Sequence, residues 1–294
     1  MDINLFLIQL LNGLQLGLML FLMSAGLTLV VGIMNFVNLA HGSLYMIGAY
    51  FAALTQQYTG SFFIAVIIAV PLVVLLGFLL DKTILKQLYK RDHLDQVLAT
   101  FAMILFFNEL IRIIFGPAAY FMNVPDILSG TIELFPGMIY PMYRFVIIIC
   151  GLFVAVGLYL LIGKTKLGML IRAGAENREM VNALGVNINL LYMLVFGIGA
   201  GLAGFSGMIA GPLLSVQIGM GESILILAFV VIVVGGIGSV KGAFIAALII
   251  GIADTFGRIM LPPALASMVI YILMAAVLAI RPRGLFGYIR ISQV

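Results

Sequence analysis

Charge is what this sequence has least of. Only 9% of its 294 residues are Asp, Glu, Lys or Arg, against 64% that are apolar, whereas an ordinary soluble domain is about 25% charged and about 45–50% apolar. So sparse a polar complement cannot cover a water-soluble fold of this length, and no soluble domain can be cut from the chain. Cysteine is nearly absent as well. Cys150 stands alone, which excludes an intrachain disulfide and leaves the redox compartment open. The two histidines, His41 and His93, have no companion cluster of Cys, His or carboxylates, so no metal site is expected. Nor is a cleavable leader expected, since Asp2 precedes a long apolar run without a small-residue cleavage site.

Phosphate-binding loops are also missing. Gly163-Lys164-Thr165 looks like the end of one, but Gly157 stands one position too far upstream and the intervening residues are apolar. Gly199-Ala200-Gly201-Leu202-Ala203-Gly204 has the spelling of a dinucleotide loop, yet it lies inside an apolar run instead of between a strand and a helix. With the Gly197/Gly201 and Gly207/Gly211 pairs it reads as close helix packing through small residues. The chain is therefore expected to have no catalytic residues and no ATP site of its own.

Long apolar runs are what the sequence does have. A span needs roughly 20 apolar residues, and nine runs come near this: Leu5 to Gly32, Phe36 to Leu54, Phe62 to Leu80, Leu94 to Phe115, Arg144 to Gly163, Leu190 to Gly211, Ser223 to Gly238, Ala243 to Ile259 and Ala264 to Ile280. They are continuous and do not alternate, which gives helices in place of a barrel. The expected fold class is all-α, a polytopic membrane bundle forming one transmembrane domain over 1–294. The weak break at Met34 to Ala40 and the short run at Ser223 leave the count at eight to nine spans.

Twelve of the 15 basic residues fall at alternate span ends: Lys82, Lys86, Lys90 and Arg91; Lys164, Lys166, Arg172 and Arg178; Lys241; and Arg281, Arg283 and Arg290. Cytoplasmic loops carry such an excess. Nine spans then put the N-terminus outside and the C-terminus in the cytoplasm, and the formal charge of +4 reports topology without any need for nucleic acid.

Between Lys164 and Asn189 the pattern turns amphipathic. At 100° per residue, Ala173, Asn177, Met180, Val181 and Leu184 share one arc, polar residues fill the rest, and Gly185 is a natural stop. This cytoplasmic loop, at about 164–189, is expected to hold one short helix, either lying on the membrane surface or docking into a partner's groove. Asn35, Asn38 and His41, spaced by three with Ser43 behind, would share about a third of a helix circumference if their segment is helical. Polar groups at membrane depth face protein or a wet cavity, so they either line a substrate path or satisfy abutting helix ends. Glu109/Arg112 and Asp254/Arg258 are spaced for ion pairs, although isolated acids also occur in proton-coupled carriers. Val30-Val31-Gly32 and Val233-Val234-Gly235 each lead through a break into a small-residue helix, an echo that either marks a substrate path or is chance.

These residues carry a resemblance. Gly26-Leu27-Thr28-Leu29 and Asn35 to Tyr50 resemble the N-terminal signature of the permease subunits of branched-chain amino acid ABC importers. Arg172 to Asn177, Ala183 to Val186 and Gly199 to Gly204 are similar to that family's cytoplasmic loop and following span, and Val234 to Ser239 and Arg281 to Gly287 to its C-terminal third. The matches run in order over nearly the whole chain. They imply a multi-pass protein of a bacterial or archaeal cytoplasmic (inner) membrane that forms the translocation path for leucine, isoleucine or valine. The implied complex adds a second permease subunit, paralogous or identical, two cytoplasmic ATPase subunits that hold ATP and Mg, and a periplasmic or lipid-anchored binding protein. Ala173, Glu179, Met180, Val181, Leu184 and Gly185 would couple to the ATPase. Against the importer pattern E-A-A-x-x-x-G, Glu179 and Gly185 keep their spacing, but Met180 and Val181 replace the alanines. Some relatives carry urea or short amides, and a proton-coupled secondary transporter or a passive channel is the other class to test.

Overall fold

The computed structural model describes residues 3–287. Asp2 and Arg290 lie outside that range. The described chain runs α1 (Ile3–Met34), α2 (His41–Thr59), α3 (Phe62–Leu80), a π-helical turn (Asp81–Leu85), α4 (Lys86–Leu88), α5 (His93–Phe115), β1 (Thr131–Phe135), β2 (Met138–Pro141), α6 (Met142–Lys164), α7 (Lys166–Glu176), α8 (Arg178–Ala183), α9 (Ile188–Ala210), α10 (Met220–Gly235), α11 (Val240–Met260), α12 (Pro263–Ala266) and α13 (Val269–Ile280).

Each of the nine expected runs contains a helix. Six described helices are long and apolar enough to cross a membrane: α1, Phe62–Leu88, α5, α6, α9 and α11. The expected eight to nine are reached only by adding helices that fall short. In α2, His41, Ser43, Thr55, Gln56, Gln57 and Thr59 dilute the apolar run. At 16 residues α10 is about 24 Å long, and α13 with 12 is shorter still, against a core of about 30 Å. The all-α membrane bundle fits, with one short hairpin added to it. β1 and β2 pair antiparallel with Thr131 opposite Pro141, where Phe135-Pro136-Gly137 supplies the turn, Gly137 adopting φ 81°.

Helix α1 is the axis of the bundle. Its residues Gly17 to Val31 are buried without a break, which requires an apolar circumference rather than one apolar stripe. Small residues let neighbours close on it: a Cβ added at Gly17 would stand 2.7 Å from the Ala247 carbonyl oxygen of α11, and one at Gly26 2.6 Å from the Gly199 oxygen of α9. On α9, Gly201 faces Val74 and Gly204 faces Val73 and Gly48. The glycine-rich segment of α9 is thus a packing seam. Lipid-facing bulk lies on the periphery, as at Ile67, Phe106, Ile113, Phe153 and Ile272, all exposed.

The bundle has two distinguishable ends. At one, Gln56 Nε2 donates to the Asn123 carbonyl at 2.8 Å and Tyr120 and Val216 exchange backbone hydrogen bonds. Tyr140 and Arg144 donate to Asn12 Oδ1 at 3.2 and 2.9 Å, which closes the hairpin onto α1. At the other end Phe36 meets Tyr89 and Tyr89 meets Tyr192, both edge to face, with centroids 5.7 and 5.4 Å apart. The segments holding the sequence's basic clusters gather at this second end.

Candidate functional site

Three chain breaks meet at the basic end. The first is the exit of α1. Asn35 takes φ 51°, the left-handed region that Asn tolerates, and its N–H closes the helix on Val31 O at 3.0 Å. Asn38 Oδ1 then accepts from Ala40 N at 2.9 Å and turns the chain into α2. Residues 35–40 are therefore not helical. The single face expected for Asn35, Asn38 and His41 does not form, because both asparagines use their local hydrogen bonding and left-handed tolerance to break the helix.

The second break joins α10 to α11. Gly236 and Gly238 take φ 100° and 82°, and Ser239 Oγ caps α11 by accepting from Gly242 N at 3.1 Å. A Cβ on Gly32 would stand 3.0 Å from Gly238 Cα, so the two echoed interruptions abut in space. The third is the C-terminal Arg281 to Gly287. It folds back so that Leu285 N and Phe286 N donate to the orphan carbonyls of Val234 and Gly235 at 2.8 and 3.0 Å. Two short motifs far apart in sequence thus form one structure.

Beside these breaks a groove of about 1270 Å³ opens between α1, α6, α7 and α11. Its walls include Thr28, Asn35, Ser239 and Lys241. Of the four proposed path residues, Asn35 alone lines it. Asn38, His41 and Ser43 are buried in the packing. His41 Nε2 points at α1, where a Cβ on Gly26 would stand 3.1 Å away. The Met23 carbonyl acts on the ring, but among the described residues neither nitrogen closes a hydrogen bond of good geometry, and Asn38 Nδ2 has no partner there either. Thr28 Oγ1 is likewise buried without one among the described residues. Sequence reasoning passed over Thr28, whose only signal was its place in the Gly26-Leu27-Thr28-Leu29 signature.

The amphipathic segment is two helices and not one. Asn177 ends α7 and caps α8, its Oδ1 accepting from Met180 N at 2.9 Å, so Ala173 and Leu184 do not share a continuous arc. Ala173 is half-buried and Val181 is buried against the bundle, while Met180 and Leu184 are 58% and 76% exposed with Glu179 beside them. Gly185 is the expected stop: at φ 84°, its N–H reaches Asn182 O while Val186 N reaches Val181 O, the double bond of a Schellman cap. Thr165 of the apparent phosphate-loop remnant caps α7 by accepting from Gly168 N at 3.1 Å. Both expected ion pairs form, Glu109–Arg112 and Asp254–Arg258, each at 2.8 Å.

Residues 9–278 match the profile of the family described as branched-chain amino acid transport system / permease component. BraD of Pseudomonas aeruginosa, a high-affinity branched-chain amino acid transport system permease protein, is 30% identical over 97% of both chains. LivH of Escherichia coli, of the same description, is 29% identical over 98% of both. LivM of Escherichia coli, a permease protein of that description too, is 27% identical over 81% of this chain and 61% of its own. No solved structure matches this chain. A multi-pass helical bundle with the signature segments gathered at its breaks, and a match over nearly its whole length, place the chain in the branched-chain amino acid transport permease family.

Proposed function

We propose that this chain is the membrane-spanning subunit of an ATP-driven importer, one transmembrane domain through which leucine, isoleucine or valine passes after delivery by a binding protein. The observation that carries this reading is α8: anchored inward by Val181, it holds Met180 and Leu184 outward at the basic end, an apolar pair that water disfavours and a partner's groove would cover. The partners are two ATPases that supply ATP and Mg, and a second permease chain. The basic end is the cytoplasmic one, with the N-terminus on the opposite side. Asn35 stands at the mouth of the path. Asn38, His41 and Ser43 lie deeper, where they become available to substrate when α2 and α10 part, since their backbones touch at Gly42 and Gly221.

Fully removing an apolar side chain from water is worth about 1.5–3 kcal/mol, so one polar substitution on so small a face matters. Leu184→Asp is expected to keep normal membrane levels but to lower copurification of coexpressed ATPases at least about tenfold, with loss of leucine-stimulated ATP hydrolysis. Asn182→Asp, exposed beside it, should be nearly silent. Equal loss in both would mean that α8 is not the docking face, and unchanged coupling in Leu184→Asp would make it a surface connector. Leucine uptake by the chain alone, driven by a proton gradient at full rate, would replace the ATP-driven reading with a secondary carrier.

A further inference from the structure

The groove at the basic end is built in two halves of different chemistry. Along α6 and α11 its wall is apolar, formed by Leu152, Ala155, Val156, Phe244 and Ile245, and Leu152, Val156 and Ile245 are exposed, so this half opens sideways on the face that lipid covers. Among the described residues, two cations, Lys241 and Arg172, stand at its water-side rim against one acid, Glu176. Lys241 Nζ lies 5.4 Å over the Tyr159 ring, which holds the ammonium at the rim. The Arg172 guanidinium donates through one nitrogen to the Ile162 carbonyl near the end of α6, which fixes its place and leaves further N–H groups of the guanidinium for an anion.

Length decides what fits. From Leu152 to Gly163 the wall runs about 16 Å along α6, close to one leaflet of a core about 30 Å thick. A cavity of about 1270 Å³ also exceeds the roughly 300–1,000 Å³ of ordinary small-molecule pockets. An acyl chain against the wall and a phosphate at the rim match both halves, and basic pockets between spans are where anionic headgroups bind. We infer that this groove is a binding site for one anionic phospholipid of the leaflet at the basic end, its phosphate held by Lys241 and Arg172 and an acyl chain lying along α6. Asn35, placed above at the mouth of the path, lines the same groove, but lipid retention is read without cargo or ATPase, so its failure is distinguishable from failure of the transport reading.

The test uses the purified full chain in detergent, supplied with phosphatidylglycerol or phosphatidylcholine of the same acyl chains and read by native mass spectrometry. The wild-type chain should retain one phosphatidylglycerol in preference to phosphatidylcholine. Lys241→Gln and Arg172→Gln should each weaken retention about fivefold and the double variant about 25-fold. Lys82→Gln, at the same end but outside the groove, should change nothing. Ala155→Trp, which fills the apolar wall, should lower retention of phosphatidylglycerol with all charges intact, and circular dichroism in lipid-free detergent verifies that each variant is folded. Equal retention of the two lipids, or an unchanged double variant, overturns the site. So does loss of phosphatidylglycerol from the wild-type chain when a second permease subunit is copurified with it, because the groove would then be a subunit contact.

Discussion

At the end that carries the β-hairpin, every arginine has a side-chain partner. Arg112 pairs with Glu109 and Arg258 with Asp254, both at 2.8 Å, and Arg144 donates to Asn12 at 2.9 Å. At the opposite end, the described lysines and arginines of the basic clusters form no ion pair with any described residue. Its order comes instead from backbone: left-handed glycines at Gly185, Gly236, Gly238 and Gly284, helix carbonyls capped by the C-terminal turn, and a ring cluster around Tyr89. One end uses its few cations to lock its own structure. The other locks itself by main-chain geometry, and its described cations take a backbone carbonyl (Arg172) or an aromatic ring (Lys241) in place of an acid.

The sharpest way to break this comparison is to ask whether the two ends face different compartments. In a Cys150→Ala background, single cysteines at Gln87, Asn187 and Ser129, all exposed, are treated in intact cells with an impermeant thiol reagent. Only the Ser129 site should label, an all-or-none difference. Labelling at Asn187 would reverse the orientation.

A smaller but still severe effect is expected from the backbone that orders the basic end. Gly236 has φ 100°, and a Cβ there would stand 2.8 Å from Gly287 Cα. Gly236→Val combines a disfavoured conformation with overpacking, about 3 kcal/mol or more in total, read as a collapse of the thermal midpoint in detergent. Gly130, at the hairpin end, has open space around it, so Gly130→Val should be tolerated. Equal damage from both substitutions would erase the contrast.

The smallest effects grade the paired end by burial. Asp254 is almost fully buried although its partner is 64% exposed. Arg258→Gln therefore strands a carboxylate, at a cost of about 1–3 kcal/mol. The Glu109–Arg112 pair is more than half exposed on both sides, and Glu109→Gln should cost under about 0.5 kcal/mol. Denaturation in matched detergent measures both, and a larger loss from Glu109→Gln would show that exposure does not rank these pairs.

Much of this was legible in the residues. Apolar runs placed a helix in all nine expected regions, i,i+3 and i,i+4 spacing found both ion pairs, and Gly185 marked its Schellman stop. The misses share a cause, which is local side-chain chemistry overriding periodicity. Asn177 carries a cap signal that cuts the amphipathic wheel in two, and Asn35 and Asn38 bend the chain where a three-residue spacing suggested a face. The hairpin had its own signal in the alternation of Thr131 to Phe135 and the Pro136-Gly137 turn, overshadowed by the apolar runs on either side.

By itself the sequence determined that this chain is a helical membrane protein and where its positive charge clusters. Those properties depend on composition and short-range spacing, because hydrophobic transfer and helix formation are set within a few turns. Only the tertiary structure decided that the break after α1, the Gly236–Gly238 turn and the C-terminal Arg281–Gly287 segment pack together, that Val181 faces in while Leu184 faces out, and that Lys241 and Arg172 share a groove. Such pairings depend on which helices can approach closely. That in turn depends on the absence of a Cβ at matched positions of helices far apart in the chain, which no local pattern encodes.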